Sequence, residues 1–500
     1  MKGNVKKNIS ETTFFRLLKG FTKKEILEFE KFVSSPFYNS HQTLIKLFRE
    51  IRKFYPSFDD KMLTREYLFE KVNSEKTYDD VIFRKYMSNL MKLAEEYLCT
   101  IDNMNHRDRK ITSLLDQFER RNQISFFRKL VEQYEIVSEE SGKINNESFY
   151  YKHFREELKS SFEIRTNRLH LLKPSLIKSH TYLLMHLLLT SCVYSNMMLV
   201  NKSSFKDSED VNLFEEFFEI FDIIKYLESS KYLTPCEKLF IKLCKYDVTL
   251  MKDPSKTELL KSMKSALMDL SVHLNDNLLY IFFSHLNIFY LLNISSGNQE
   301  FIRELFENYK FMIQKNLYVS GEREFINFSE YRTILLYALR LKEFEWAESF
   351  IKRFKDHHNP EMSNNILNYS MAVLTFEKGE LDQSLKYLST LELDDIILKL
   401  DSDALLLMIY YEKDYIDSAL SVADSFKYYV KSNKILSDQV VKNQSDFIKY
   451  MKCILKHKLT GMSSFDYEKL REDISNNKTV RRKNWLLQKL DEIHESHSNS

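Results

Sequence analysis

Seven glycines and six prolines in 500 residues leave this chain almost without the residues that punctuate tight turns, bulges and strand ends. Average usage of the two together is roughly 12 %. A fold with many short strands and tight hairpins would need far more of both, so all-β and α/β architectures are excluded. What remains is an all-α protein whose connections are made of Asn, Ser, Asp and Lys. The glycines stand at 3, 20, 142, 297, 321, 379 and 461, no two closer than 17 residues. A loop that cradles a phosphate needs at least two glycines within about six residues, so that backbone N–H groups can approach it. Walker A loops, dinucleotide fingerprints, kinase glycine-rich loops and nucleophile elbows are therefore missing from the sequence. Single cores stop growing near about 250–300 residues, so the chain must divide into subdomains or extend as a stack.

Metal and thiol chemistry find little support. Cys99, Cys192, Cys236, Cys244 and Cys453 contain no Cys-x-x-Cys pair, which argues against a disulfide framework or a structural zinc site and fits a reducing compartment. His494-Glu495-Ser496-His497 offers two imidazoles, but in a polar C-terminal tail (491–500) that reads as disordered. His357-His358 reads as a polar loop, and His186 and His285 as satisfied core histidines inside apolar helices. No catalytic residue, metal ligand or cofactor is expected. Residues 179–201 and 277–299 lack Asp, Glu, Lys and Arg and are long enough to span a bilayer. Their interspersed His, Ser and Asn side chains read instead as buried helices of a large helical protein. No apolar run of signal-peptide length opens the chain, so a cytoplasmic location without a membrane span is expected.

Charge is uneven although the net value is only +2: residues 1–110 sum to +6, 361–430 to −8 and 431–490 to +8. Such asymmetry allows an interaction surface without naming its partner. Residues 1–110 read as an N-terminal helical unit. Thr22 and Glu25 form a capping-box pattern after Phe21, Thr64 is placed to cap a short helix, and a longer helix runs over about 79–101. The polar stretch 102–110 closes the unit, and 111–325 reads as a helical-hairpin array.

Within 326–430 an internal repeat emerges. Leu335-Leu336-Tyr337-Ala338 precedes Phe344-Glu345-Trp346-Ala347; Met371-Ala372-Val373 precedes Gly379-Glu380-Leu381-Asp382-Gln383-Ser384; Leu406 to Tyr410 precedes Ile416-Asp417-Ser418-Ala419. The small residues Ala347, Ser384 and Ala419 are 37 and 35 apart, where two helices of a hairpin would cross closely. Period, small residue and flanking aromatics resemble the tetratricopeptide repeat. The whole chain also resembles a family of uncharacterised bacterial helical-repeat proteins, through Ser35-Pro36-Phe37-Tyr38-Asn39, Arg84-Lys85-Tyr86-Met87-Ser88-Asn89-Leu90 and residues 341–350. That likeness implies the same fold and a bacterial cytoplasmic setting, and it supplies no activity.

The expected architecture is an elongated right-handed stack of antiparallel helical hairpins, a TPR-like α-solenoid, with the N-terminal unit in front and C-terminal basic helices over 431–490 behind. The expected function is non-enzymatic: a scaffold or adaptor that binds a protein partner, as a peptide or helix, in a concave groove. In tetratricopeptide stacks the first helix of each hairpin lines that groove. The resemblance therefore implies contacts from Arg332 and Arg340, from Tyr369, Phe376 and Glu377, and from Met408, Tyr411 and Glu412, with Tyr369, Phe376 and Tyr411 as aromatic anchors. The alternative is a DNA-binding regulator, with Arg84, Lys85, Asn89 and Lys92 on the second helix of a helix-turn-helix-like unit. A cap on the solenoid is the preferred reading of that unit, and nucleic acid is not the expected partner.

Overall fold

The computed structural model describes residues 9–74, 77–141, 143–204, 223–319, 325–392, 395–477 and 480–498. Every regular element among them is helical, and the one β-bridge is an isolated parallel contact between Ile144 and Leu274. The chain divides into two compact units, 1–132 and 133–500.

The first unit holds α1 (Thr13–Lys19), α2 (Lys23–Ser34), α3 (Gln42–Arg52), α4 (Arg65–Val72), α5 (Asp80–Asn105) and α6 (Arg107–Arg120), and the division falls inside α7 (Ile124–Ser141). The expected capping box forms: Glu25 N–H donates to Thr22 Oγ1, and Thr22 N–H donates to a Glu25 carboxylate oxygen. Thr64 accepts from Tyr67 N–H and so starts α4. An aromatic core follows, with the Phe29 ring edge-on to Phe48 at 4.7 Å and Tyr97 of α5 packed on Phe21, Phe29 and Phe32. In the 35–39 loop Asn39 Nδ2 donates to Val33 O, Tyr38 stacks on Phe32, and Phe37 points outward. The polar stretch 102–110 is helical but for His106.

The second unit begins with α8 (Ser148–Arg165) and α9 (Leu169–Ser204), then α10 (Ile223–Glu228), α11 (Pro235–Lys252), α12 (Thr257–Leu270), α13 (Asp276–Ser295) and α14 (Phe301–Gln314). The three repeat segments become hairpins: α15 (Phe328–Arg340) with α16 (Phe344–Phe354), α17 (Ser363–Glu377) with α18 (Leu381–Leu388), and α19 (Ile396–Glu412) with α20 (Ile416–Ser432). Three helices follow, α21 (Asp438–Thr460), α22 (Ser464–Asn476) and α23 (Lys483–Ser498). The last of these runs through residues 491–498, where a disordered tail is expected from composition. Neighbouring helices pack in sequence, and α15, α17 and α19 also pack on one another. Ala347, Ser384 and Ala419 are fully buried, and Ser384 Oγ donates to Ala372 O across its hairpin at 2.7 Å. Helix α13 is the one described helix with the length and hydropathy of a membrane span; Leu278, Phe282, Phe283, Leu286 and Phe289 on it are buried within the unit.

The hairpin turns show how the fold dispenses with glycine. Lys342, Gly379 and Asp414 occupy one equivalent position, all in the left-handed region with φ of 59°, 83° and 59°. In each, the next N–H reaches back across the helix end: Glu343 to Ala338 O, Glu380 to Thr375 O and Tyr415 to Tyr410 O. This is the Schellman closure, which satisfies carbonyls that the helix end leaves free. Asn122, Asn167, Asn316 and Gly297 make the same turn elsewhere. A Cβ added at Gly379 meets no atom within 4 Å, so only the backbone resists it. Gly379→Ala is accordingly expected to cost about 1 kcal/mol in urea unfolding, and Gly379→Asn less. An Ala variant as stable as the parent would contradict this account of the turn.

Candidate functional site

The residues expected to line a groove lie on α15, α17 and α19, and the structure brings two of them, Arg332 and Tyr369, together on one carboxylate. Asp401, on the first turns of α19, receives Arg332 through both Nε and Nη2, the latter at 2.8 Å. Tyr369 Oη donates to Asp401 Oδ2 at 2.9 Å, and Arg481 Nη1 to Oδ1 at 3.0 Å. Only 13 % of the Arg332 side chain and 8 % of the Asp401 side chain are exposed. Burial alone would raise the Asp401 pKa; the Arg332 and Arg481 charges and the hydrogen bonds from Arg332 and Tyr369 outweigh it and hold the carboxyl well below the usual range. Burial works against the Arg332 cation too, and Asp401 reverses the effect.

Arg481 belongs to the segment leading into α23, and that segment continues across the same face. Arg482 Nη1 donates to Glu377 Oε1 at 3.0 Å. Trp485 Nε1 donates to Glu412 Oε1 at 3.1 Å, while its ring meets Tyr411 edge-on at 5.4 Å. Lys489 Nζ reaches Glu412 at 3.0 Å, and Lys458 of α21 sits 4.2 Å over the Tyr411 ring. Tyr369, Phe376, Met408 and Tyr411 are only 1 to 7 % exposed. The three aromatics expected to anchor a partner are thus interior, and the chain's own C-terminal segment packs on one of them, Tyr411. Arg340 stands apart, donating to Gln299 and lying over the Tyr337 ring.

Charge at the level of segments matches this contact. Besides Arg481, Arg482 and Lys489, the basic 431–490 segment sends Lys452 to Asp424 and Lys458 to Asp414, all in the acidic 361–430 segment. The covering residues escaped sequence reasoning although the opposed −8 and +8 blocks carry the signal. Arg332, Tyr369, Asp401, Gln444, Arg481 and Arg482 line a cavity of about 40 Å³, far below the roughly 300 Å³ or more of a small-molecule site. Among the described residues no three His, Cys, Asp or Glu side chains are grouped to hold a metal ion.

Other candidates resolve individually. His285 Nδ1 lies 3.1 Å from a carboxylate oxygen of Asp247, deep in the core between α11 and α13. His358 is buried edge-on against Tyr331 at 4.5 Å, so it is part of the hydrophobic core and not a solvated loop residue. His494 stacks on Tyr467 of α22 at 4.0 Å. Asp395 caps α19 by accepting from Leu398 N–H. In the first unit Arg84 pairs with Asp80 on its own helix. Seven residues separate α4 from α5, more than the 3–4 of a helix-turn-helix connection. Against known proteins, no family profile, curated protein or solved structure matches the chain.

Two measurements follow from these environments. Asp401→Asn removes the charge that opposes the largely buried Arg332 and the partly exposed Arg481, and is expected to cost about 3–5 kcal/mol in urea unfolding, as for other broken buried pairs; a loss under about 1 kcal/mol would contradict it. Burial, with a smaller push from His357, lowers the His358 pKa from 6.5 to about 4. The unfolded chain therefore takes up the proton first. Its stabilising effect is complete above about pH 6.5 and declines by on the order of 2–3 kcal/mol as pH falls toward about 4. His358→Gln is expected to flatten the pH–stability curve in that window, and an unchanged slope would contradict the assignment.

Proposed function

We propose that this chain is a non-enzymatic protein-interaction scaffold: a right-handed, TPR-like α-solenoid whose hairpin face binds a helix. One observation carries the reading. The first helices of the second and third hairpins already receive the chain's own C-terminal segment: Arg481 and Arg482, just before α23, reach Asp401 and Glu377, and Trp485 of α23 reaches Glu412 and the edge of Tyr411. Buried small residues at each hairpin crossing and identical Schellman turns support the repeat assignment. The ligand chemistry is that of Arg481-Arg482, Trp485 and Lys489: a helix with two leading guanidiniums, then an aromatic, then a cation. Charge-assisted hydrogen bonds and an aromatic anchor are the contacts that dominate such interfaces.

A labelled synthetic peptide of residues 480–495 tests the reading on the full chain. Binding is expected to be weak to the parent, whose face is occupied, and at least about tenfold tighter once Arg482→Ala with Trp485→Ala loosens the cover. Adding Glu377→Gln and Glu412→Gln to that variant is expected to abolish binding. A folded, loosened variant that gains no affinity for the peptide would overturn the proposal.

A further inference from the structure

The polar centre on Asp401 borders a cavity whose walls differ in kind. One side carries the guanidiniums of Arg332, Arg481 and Arg482, and another the side chain of Gln444 on α21. Apolar side chains of α15, α17, α19 and α21, Phe447 among them, close the rest. The volume of about 40 Å³ is room for about two or three waters, or for one small ion beside a water. Gln444 is 1 % exposed, and neither end of its amide has a hydrogen-bond partner among the described residues. A buried amide is expected to be hydrogen-bonded, so the cavity must supply what the protein does not.

Charge decides what kind of group fits. Three guanidiniums meet there against two carboxylates, Asp401 and, through Arg482, Glu377. Arg481 donates one hydrogen bond, from Nη1 to Asp401 Oδ1 at 3.0 Å, and Arg482 donates one, from Nη1 to Glu377 Oε1 at 3.0 Å. Each keeps further N–H donors in its fork. Burial lowers the Arg481 pKa, and repulsion from Arg332 and Arg482 lowers it further, although Asp401 opposes both. Water satisfies the amide but leaves this surplus of positive charge uncompensated, whereas an anion answers both. The Arg481 and Arg482 side chains are 37 and 31 % exposed, which gives an ion a route in from solvent.

We propose that this cavity binds one small, weakly hydrated monovalent anion of the halide class, chloride foremost, held by Arg481, Arg482 and Gln444 Nε2. A nucleotide or phosphate ester is too large for it. The apolar wall selects among small anions, because it cannot replace a tightly held hydration shell; fluoride is disfavoured against chloride and bromide. The bound ion ties the two arginines that precede α23 to Gln444 of α21, and so fastens the C-terminal segment. This holds whether or not the hairpin face takes a partner.

Urea unfolding of the full chain in sodium chloride, bromide and fluoride at equal ionic strength tests the proposal. General salt effects place fluoride first, because strongly hydrated anions are excluded from protein surface. The site predicts the reverse order, with the midpoint rising in chloride and bromide along a single-site saturation curve. Chloride NMR reads the ion itself: the parent chain is expected to broaden the chloride line, and bromide to relieve the broadening where fluoride does not. Gln444→Leu removes the amide at similar side-chain volume and is expected to lose most of both effects. Gln444→Glu supplies the negative charge from the chain itself and is expected to be insensitive to chloride. A parent midpoint equal or higher in fluoride overturns the proposal and leaves the cavity to water. So does chloride broadening that survives in folded Gln444→Leu chains. If either variant fails to fold, the parent's ion order and line broadening decide alone.

Discussion

Asp401 is the carboxylate on which the C-terminal half of the chain converges. Arg332 from α15, Tyr369 from α17 and Arg481 from the segment before α23 all donate to its two oxygens. Taking such ions out of water is costly unless geometry and hydrogen bonding are nearly complete. Here they are, with four donated bonds on one carboxylate. The consequence is topological: three elements separated by up to 149 positions, from Arg332 to Arg481, must meet at one point. A hydrophobic contact would tolerate sliding by a helical turn, whereas a bidentate guanidinium fixes register. The neighbouring pairs Arg482–Glu377 and Lys489–Glu412 extend that register from the segment before α23 into the helix; the first is partly solvated and adds little stability of its own, whereas Lys489 is buried against Glu412.

A second constraint acts at the hairpin turns. Seven of the described helix ends, those of the three repeat hairpins among them, close through a left-handed residue, and this chain uses Asn, Lys or Asp for five of the seven. Each non-glycine there costs about 1–2 kcal/mol of local strain, which the buried crossings at Ala347, Ser384 and Ala419 offset through packing.

Much of the helical organisation was legible in the sequence. Glycine and proline scarcity excluded strands, the Thr22–Glu25 box and Thr64 marked real helix starts, and the 37- and 35-residue spacings marked real hairpins. Lys342 and Asp414 were hidden because turn rules look for glycine, yet both stand five residues before the small residue, as Gly379 does. The site was legible only by halves. The resemblance to the tetratricopeptide repeat pointed to the helix face that carries Arg332, Tyr369, Glu377, Tyr411 and Glu412, but no local pattern says what covers a face. That information lay in long-range charge matching between 361–430 and 431–490, and it has no period or spacing to detect. His358 was misread for a related reason: adjacent polar residues suggest solvent, and only the tertiary contact with Tyr331 shows otherwise.

The central claim is that the basic C-terminal segment lies on the acidic hairpins in one fixed register. Zero-length carbodiimide cross-linking of the native chain, read by mass spectrometry, tests it most directly, because the reagent joins amines only to carboxylates already in contact. The account predicts links from Lys489 to Glu412, from Lys458 to Asp414 and from Lys452 to Asp424, at low protein concentration and within one chain. Links that join these lysines chiefly to carboxylates outside 361–430, with Glu412 and Asp414 left free, would contradict it.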